Sequence, residues 1–152
     1  MRFLLPCFMV LLLSGCLSEP DCVSTKNNSV QLKIRSAETN KYTKFIFSSI
    51  TVSGTTDTFH TTDSIGTLRL PVDPFTSQTT YNLTYDKIVN SVAQTQNVSI
   101  ILGYKAQYII ISTDCGPYLF CSDLTVVDSS MESKLLNSQL STGETVNVEI
   151  KL

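Results

Sequence analysis

Apolar and polar residues alternate along most of the segment from residue 29 to residue 152. The alternation is clearest in four stretches, which centre on Leu32, Leu70, Leu83 and Val148. Because successive side chains of a β-strand point to opposite faces, each stretch offers one apolar face and one polar face. Antiparallel sheets with one solvated face show this pattern. The sequence therefore predicts an all-β chain of about seven to nine strands, folded as an antiparallel β-sandwich of immunoglobulin-like or similar type.

Three local departures from strict alternation make finer predictions. Phe47 and Ile50 have opposite parity, so we expect a bulge or bend near residues 48–49. The apolar residues of segment 130–139 recur at a spacing near four, which predicts either one or two helical turns or a loop. No unit repeats at a fixed period, which argues against a propeller or a solenoid.

The chain after residue 97 has the pattern of a β-hairpin. Two apolar runs, residues 98–102 and 107–112, flank the Gly-Tyr-Lys-Ala segment 103–106, which we expect to be the turn. Residues 108–111 are apolar at every position, so this part of the second arm is expected to be a central strand, buried on both faces.

The first sixteen residues have the pattern of an export signal. Arg2 precedes an apolar run at residues 3–13, about 11 residues long, whereas a membrane-spanning helix needs about 20. The run leads into Leu13-Ser14-Gly15-Cys16, an aliphatic residue, two small residues and a cysteine. All four positions resemble the lipobox of bacterial lipoproteins, which implies cleavage before Cys16 and lipidation of its thiol.

Cleavage there divides the chain into three parts. Residues 1–15 are the signal peptide that is removed, residues 16–28 are the lipidated cysteine with a short polar tether, and residues 29–152 are the β-sandwich domain. The whole chain has a net charge of −2, and loss of Arg2 with the signal peptide leaves −3. No run of basic residues stands out, so nucleic acid is not an expected partner.

Three cysteines remain for other purposes once Cys7 is removed with the signal and Cys16 is lipidated. Exported proteins reside where disulfides persist, so one bridge is expected. Spacing alone leaves open whether Cys22 pairs with Cys115 across the domain or Cys115 pairs with Cys121 locally. No close CxxC pair with a nearby histidine is present, so no metal site is predicted.

The order of motifs along the mature chain resembles a family of small Bacteroidota lipoproteins of unknown function. The resemblance spans nearly the whole mature chain. Its motifs are the lipobox, Asp21-Cys22 before the first strand, Leu68-Arg69-Leu70-Pro71-Val72, the Thr-rich strand at residues 79–83, and Asp114-Cys115-Gly116. The resemblance implies a β-sandwich, an envelope location and a disulfide between Cys22 and Cys115, with Cys121 outside that pair. It implies no activity, because the family has none established.

Catalytic patterns are sparse. His60 is the only histidine, and a Ser-His-Asp triad would require a Ser and an Asp beside it in a pocket. No G-x-S-x-G elbow and no Gly-rich phosphate loop is present, and most acidic residues fall at expected turns, where Asp bonds its own backbone. We therefore expect no enzyme activity, no catalytic residues and no cofactor.

Two function classes remain for a domain on a lipid anchor. The first is a non-catalytic interaction or structural module of the cell envelope, expected on the periplasmic or outer face of the outer membrane, with an envelope protein as partner. The alternative is an accessory lipoprotein that binds a glycan or small ligand, for which Tyr104, Tyr108 and Tyr118 are candidate contact residues. Asp63-Ser64-Ile65 also resembles a bacterial O-glycosylation signal, and the sequence leaves open whether it is used.

Overall fold

The computed structural model describes residues 29–56, 58–89, 91–110, 116–140 and 145–152. These residues contain nine strands and no helix. The strands are β1 (Ser29–Arg35), β2 (Phe47–Val52), β3 (Thr58–Phe59), β4 (Thr67–Pro71), β5 (Gln78–Val89), β6 (Val92–Ile110), β7 (Pro117–Ser129), β8 (Ser133–Leu135) and β9 (Val148–Lys151). Over those ranges the chain has no helix with the length and apolarity needed to cross a bilayer.

The strands form two sheets that pack face to face. One sheet has four strands in the order β4-β1-β9-β8, and the other has five in the order β3-β2-β5-β6-β7. This arrangement confirms the predicted all-β sandwich. One pairing departs from the expected antiparallel pattern, because β1 and β9 run parallel, with Leu32 opposite Val148 and Ile34 opposite Ile150.

The core lies between the sheets and is built from the alternating positions that the sequence indicated. Val30, Leu32 and Ile34 of β1 are fully buried, as are Val148 and Ile150 of β9. The other sheet covers them with a second set of buried side chains, among them Phe47, Ile50, Tyr81, Leu83, Ile100, Leu102 and Leu124. Burial of each large aliphatic side chain contributes about 1.5–3 kcal/mol before the entropy cost of folding.

Asn147 is a fully buried polar residue at the junction of β1, β8 and β9, with 1% of its surface exposed. Its backbone N–H donates to the Gln31 carbonyl at 3.0 Å, and its side-chain Oδ1 accepts from the Gln31 N–H at 2.9 Å. Its Nδ2 donates to the carbonyls of Asn137 and Gln139, at 3.2 and 2.8 Å. One side chain therefore satisfies backbone groups from two separate segments of the chain.

The predicted bulge in β2 is confirmed. The register between β2 and β5 shifts between Phe47 and Ser49, so Phe47 and Ile50 both reach the core in spite of their opposite parity. Segment 130–139, expected to be helical turns or a loop, instead contains the short strand β8, which pairs with β9. Met131 packs against the core beside it.

The predicted hairpin turn at residues 103–106 is wrong, because these residues lie inside the continuous strand β6. The glycine serves a close approach: a Cβ at Gly103 would lie 2.9 Å from both Thr125 Oγ1 and Val127 Cγ2 of β7. The register between β6 and β7 shifts next to it, between Gly103 and Lys105. The glycine therefore marks a bulge within a strand and a tight contact with its neighbour.

The expectation of a strand buried on both faces at residues 108–111 is also wrong for its described part. β6 lies between β5 and β7 in the sheet, but its pairing with β5 extends no further than Gly103. Beyond that point β7 is the one described strand that pairs with β6, and Tyr108 and Ile110 are exposed there. An apolar run therefore extends past the end of the sandwich. Ile111 lies outside the described residues.

Replacing Asn147 with Ala is expected to destabilise the domain by about 2–5 kcal/mol, because one buried backbone N–H and two partly buried carbonyls lose their partner. Urea unfolding followed by circular dichroism measures the loss. Asn97→Ala is the matched control: its side chain is exposed and accepts one bond, from Thr84 Oγ1 at 2.8 Å, so its cost should stay below about 1 kcal/mol. Equal costs for the two variants would show that Asn147 does not hold the sheet together.

Candidate functional site

Three of the sequence-predicted positions, Cys16, Cys22 and Cys115, lie outside the described residues, so the lipidation site and the disulfide stay predictions. Cys121 is described and lies in the core on β7, opposite Ala106 of β6. Burial raises the pKa of its thiol, with a smaller contribution from the negative charge of Asp73. A raised pKa keeps the thiol protonated and lowers its reactivity, which suits a packing residue.

An apolar groove lies on one side of the sandwich, where the edge strands β3 and β4 of the two sheets face each other. It has a volume of about 250 Å³. Its lining consists of Ile50, Phe59, His60, Thr61, Ile65, Leu68, Arg69, Leu70 and Pro71. Leu68 and Leu70 form the buried floor, whereas the Phe59 side chain is 45% exposed at the rim.

Short local contacts fix the shape of this groove. In the β2–β3 hairpin, Phe59 lies opposite Ile50. Below it, the Thr61 N–H donates to the Phe47 carbonyl at 3.0 Å, and Thr61 Oγ1 accepts from the Phe47 N–H at 2.8 Å. Two backbone bonds of 3.0 and 2.9 Å tie Ile65 to Phe45 just before β4 begins. Both walls are therefore attached to the core by hydrogen bonds.

His60, the single histidine, lines this groove, but its neighbours there are not those of a triad. Among the described residues that line the groove, none is a carboxylate and none is a serine, and the basic side chain present is Arg69. The described part of the chain also contains no group of three His, Cys, Asp or Glu side chains placed to hold a metal ion. The arrangement of apolar walls and open edges suits the binding of an apolar chain.

The tyrosines proposed as ligand contacts have separate environments. Tyr104 is buried, and its hydroxyl donates to the Asp73 carbonyl at 2.6 Å and lies 2.5 Å from Thr79 Oγ1, which fixes the turn before β5. Tyr108 is exposed and Tyr118 is half-buried on the β6–β7 extension. A shallow hollow of about 510 Å³ lies beside Tyr104, and Phe75, which is 83% exposed, forms part of its lining.

The outer face of the four-stranded sheet carries a charged cluster around Glu149. Arg35 Nη2 lies 2.7 Å from Glu149 Oε2, and the Tyr42 hydroxyl donates to the same oxygen at 3.0 Å. The Lys33 ammonium and the Arg35 guanidinium lie over the Tyr42 ring, 3.9 and 4.5 Å from its centroid. The hydrogen bond from Arg35 holds the pKa of the Glu149 carboxyl below its ordinary value, and the bond to Glu149 raises the pKa of Arg35.

Sequence reasoning singled out neither Phe59 nor Tyr42. Phe59 is an isolated apolar residue in the polar stretch 55–62, so no alternation of apolar and polar residues marks it as part of a strand. Tyr42 lies in a loop and makes its contacts with β1 and β9, which the sequence does not show to be neighbours.

Comparison with known proteins gives no match: no family model, no curated protein and no solved structure is similar to this chain. The resemblance to small Bacteroidota lipoproteins stays a prediction from the sequence motifs.

The ion pair at Glu149 predicts a pH-dependent contribution to stability. Because the fold lowers the pKa of this carboxyl from its ordinary value near 4.5, its contribution is present above that value and is lost as the pH falls below it. Glu149→Gln is therefore expected to be less stable than the wild type near neutral pH, and the difference should shrink in acid. Urea midpoints at about pH 7 and about pH 3 test this.

Glu38→Gln is the control for that series. Glu38 pairs with Lys87 at 3.0 Å, but its side chain is 68% exposed, so the pair contributes little at any pH. A Glu149→Gln difference that is the same at both pH values would contradict the assigned ion pair.

Proposed function

We propose that this chain is a bacterial lipoprotein of the outer membrane, tethered by lipid on Cys16, whose β-sandwich is a non-catalytic module of the cell envelope. Its groove between β3 and β4 binds an extended, apolar segment of an envelope protein. The periplasmic and surface faces of the membrane are both compatible with this proposal.

The lipid anchor is supported by the four matching positions of the lipobox at residues 13–16 and by the short apolar run before them. The tether of residues 16–28 reaches at most about 45 Å when fully extended, at about 3.3–3.6 Å per residue. The sandwich therefore stays close to the bilayer, where a binding module meets other envelope proteins.

The groove is the observation that carries the proposed interaction. It is lined by six apolar side chains: Ile50, Phe59, Ile65, Leu68, Leu70 and Pro71. It is bounded by β3 and β4, which are the edge strands of their sheets within the part of the chain that the structure describes. An extended peptide that pairs with an edge strand gains main-chain hydrogen bonds, and its alternate side chains fill adjacent apolar pockets.

The second candidate function is the binding of a glycan or another small ligand. The Phe75 hollow favours it, because an aromatic ring that is 83% exposed offers a flat face to a sugar. We favour the groove as the binding site, because its walls combine buried apolar side chains with strand edges. In the hollow, Tyr104 is buried, so Phe75 is the one strongly exposed aromatic residue among the described lining residues.

Lipidation is tested by labelling cells with radioactive palmitate and following the chain by immunoprecipitation. We expect the wild type to carry label and to fractionate with membranes, and Cys16→Ala to lose both, because the acylated thiol is gone. Cys22→Ala is the matched control and should keep the label. A Cys16→Ala variant that is still labelled would exclude the proposed anchor.

Partner binding at the groove is tested by placing a photo-crosslinking amino acid at position 59 in intact cells. The same amino acid at position 75, which is another exposed phenylalanine away from the groove, is the control. We expect a discrete protein adduct from position 59 that is missing from position 75 and is lost when Leu70→Asp opens the apolar floor to charge. Protein adducts at position 75 alone would contradict the groove as the binding surface.

A further inference from the structure

The two faces of the sandwich differ in the sign of their charge. In β1 Val30, Leu32 and Ile34 point into the core, so the residues between them lie on the outer face of the four-stranded sheet. Gln31 is buried on that face, whereas Lys33 and Arg35 are partly exposed there. The register places further basic residues on this face: Arg69 lies opposite Gln31, and Lys151 lies beside Arg35.

Lys134 of β8 completes this set, because it lies opposite Glu149, which in turn lies beside Lys33. Among the described residues, the face thus carries five basic side chains, Lys33, Arg35, Arg69, Lys134 and Lys151. It carries two acidic ones: Glu149, bound to Arg35, and Glu132, which lies 2.6 Å from Lys151. The face is therefore positive in a chain whose net charge is −2.

The five-stranded sheet has the opposite balance. Its described strands carry three aspartates, Asp86, Asp123 and Asp128, against two lysines, Lys87 and Lys105. Both lysines are paired with carboxylates, Lys105 with Asp123 and Lys87 with Glu38, each at 3.0 Å. The sandwich is consequently an electrostatic dipole, which orients in the field of a charged surface.

We infer that the outer face of the four-stranded sheet docks on the anionic headgroups of the bilayer that carries the lipid anchor. Four strands spaced about 4.8 Å apart place the outward side chains across a width of about 15 Å. Tyr42 adds an aromatic ring to this face, 53% exposed beneath Lys33 and Arg35, and aromatic and basic side chains together favour the membrane–water interface.

The tether favours the bilayer over a soluble polyanion as the occupant. Ser29, the first residue of β1, follows directly on the tether, so the strand that carries Lys33 and Arg35 is the part of the sandwich nearest the anchor along the chain. A lipid on Cys16 would hold the face within a tether length of the headgroups. In this orientation the acidic five-stranded sheet points away from the membrane.

The inference takes the lipid anchor of the proposed function as its setting, but its test does not require the lipid. The chain from residue 16 to residue 152, with Cys16→Ser, contains every residue of the described sandwich. Its binding to vesicles of phosphatidylcholine, alone or mixed with phosphatidylglycerol, is measured by sedimentation at physiological and at high salt.

We expect binding to the mixed vesicles that weakens as salt rises, and little binding to phosphatidylcholine alone. Lys33→Gln with Lys134→Gln should weaken binding about 25-fold, since each basic side chain near an anionic surface contributes about a factor of five. Lys87→Gln with Lys105→Gln changes the net charge equally on the other sheet, and should weaken binding less than about threefold.

Three results would overturn the inference: no binding to the mixed vesicles, equal binding to neutral vesicles, or equal losses in the two double variants. Urea midpoints for both double variants establish that each is folded, so that a loss of binding reports on the face. Because the protein in this test has no lipid and the groove is unchanged, these outcomes leave the palmitate and crosslinking results as separate tests of the proposed function.

Discussion

β9, the last of the described strands, lies between β1 and β8, and the ladder of the four-stranded sheet is not continuous without it. Its pairing with β1 joins residues at opposite ends of the domain: Gln31 and Asn147 are 116 positions apart. Closing so long a loop costs conformational entropy, and contacts between the two distant segments must offset that cost. Buried Val148 and Ile150 offset part of that cost, and Asn147 offsets more by satisfying the backbone of β1 and of the segment after β8.

Both proposed surfaces depend on this closure. β4, one wall of the groove, pairs with β1 alone among the described strands, so β1 holds that wall of the groove in place. The positive face is formed by outward residues of the same four strands, and its central ion pair joins Arg35 of β1 to Glu149 of β9. The same pairing thus supports the groove on one side of the sandwich and the charged face on another.

The alternation of the sequence predicted the fold class, the core residues and the bulge near residues 48–49, because burial on one face of a strand is a local pattern. It did not predict features set by contacts distant in sequence. Gly103 is a residue type that is common in turns. Here a glycine is required because the side chains of Thr125 and Val127 on β7 leave no room for a Cβ. In the alternation Asn147 is an ordinary polar position. Its burial follows from its contact with the parallel strand β1, which is distant in sequence. The groove and the positive face arise likewise from strand order, which alternation leaves undetermined.

Native-state hydrogen exchange tests the central claim that the β1–β9 junction is the element on which the fold depends. The Gln31 amide donates to Asn147 Oδ1, and the Asn147 amide donates to the Gln31 carbonyl. If the junction opens only when the whole domain unfolds, both amides should exchange with the free energy of global unfolding measured in urea. Exchange of either amide with a free energy more than about 2 kcal/mol below that value would show local opening of the junction and would contradict the account.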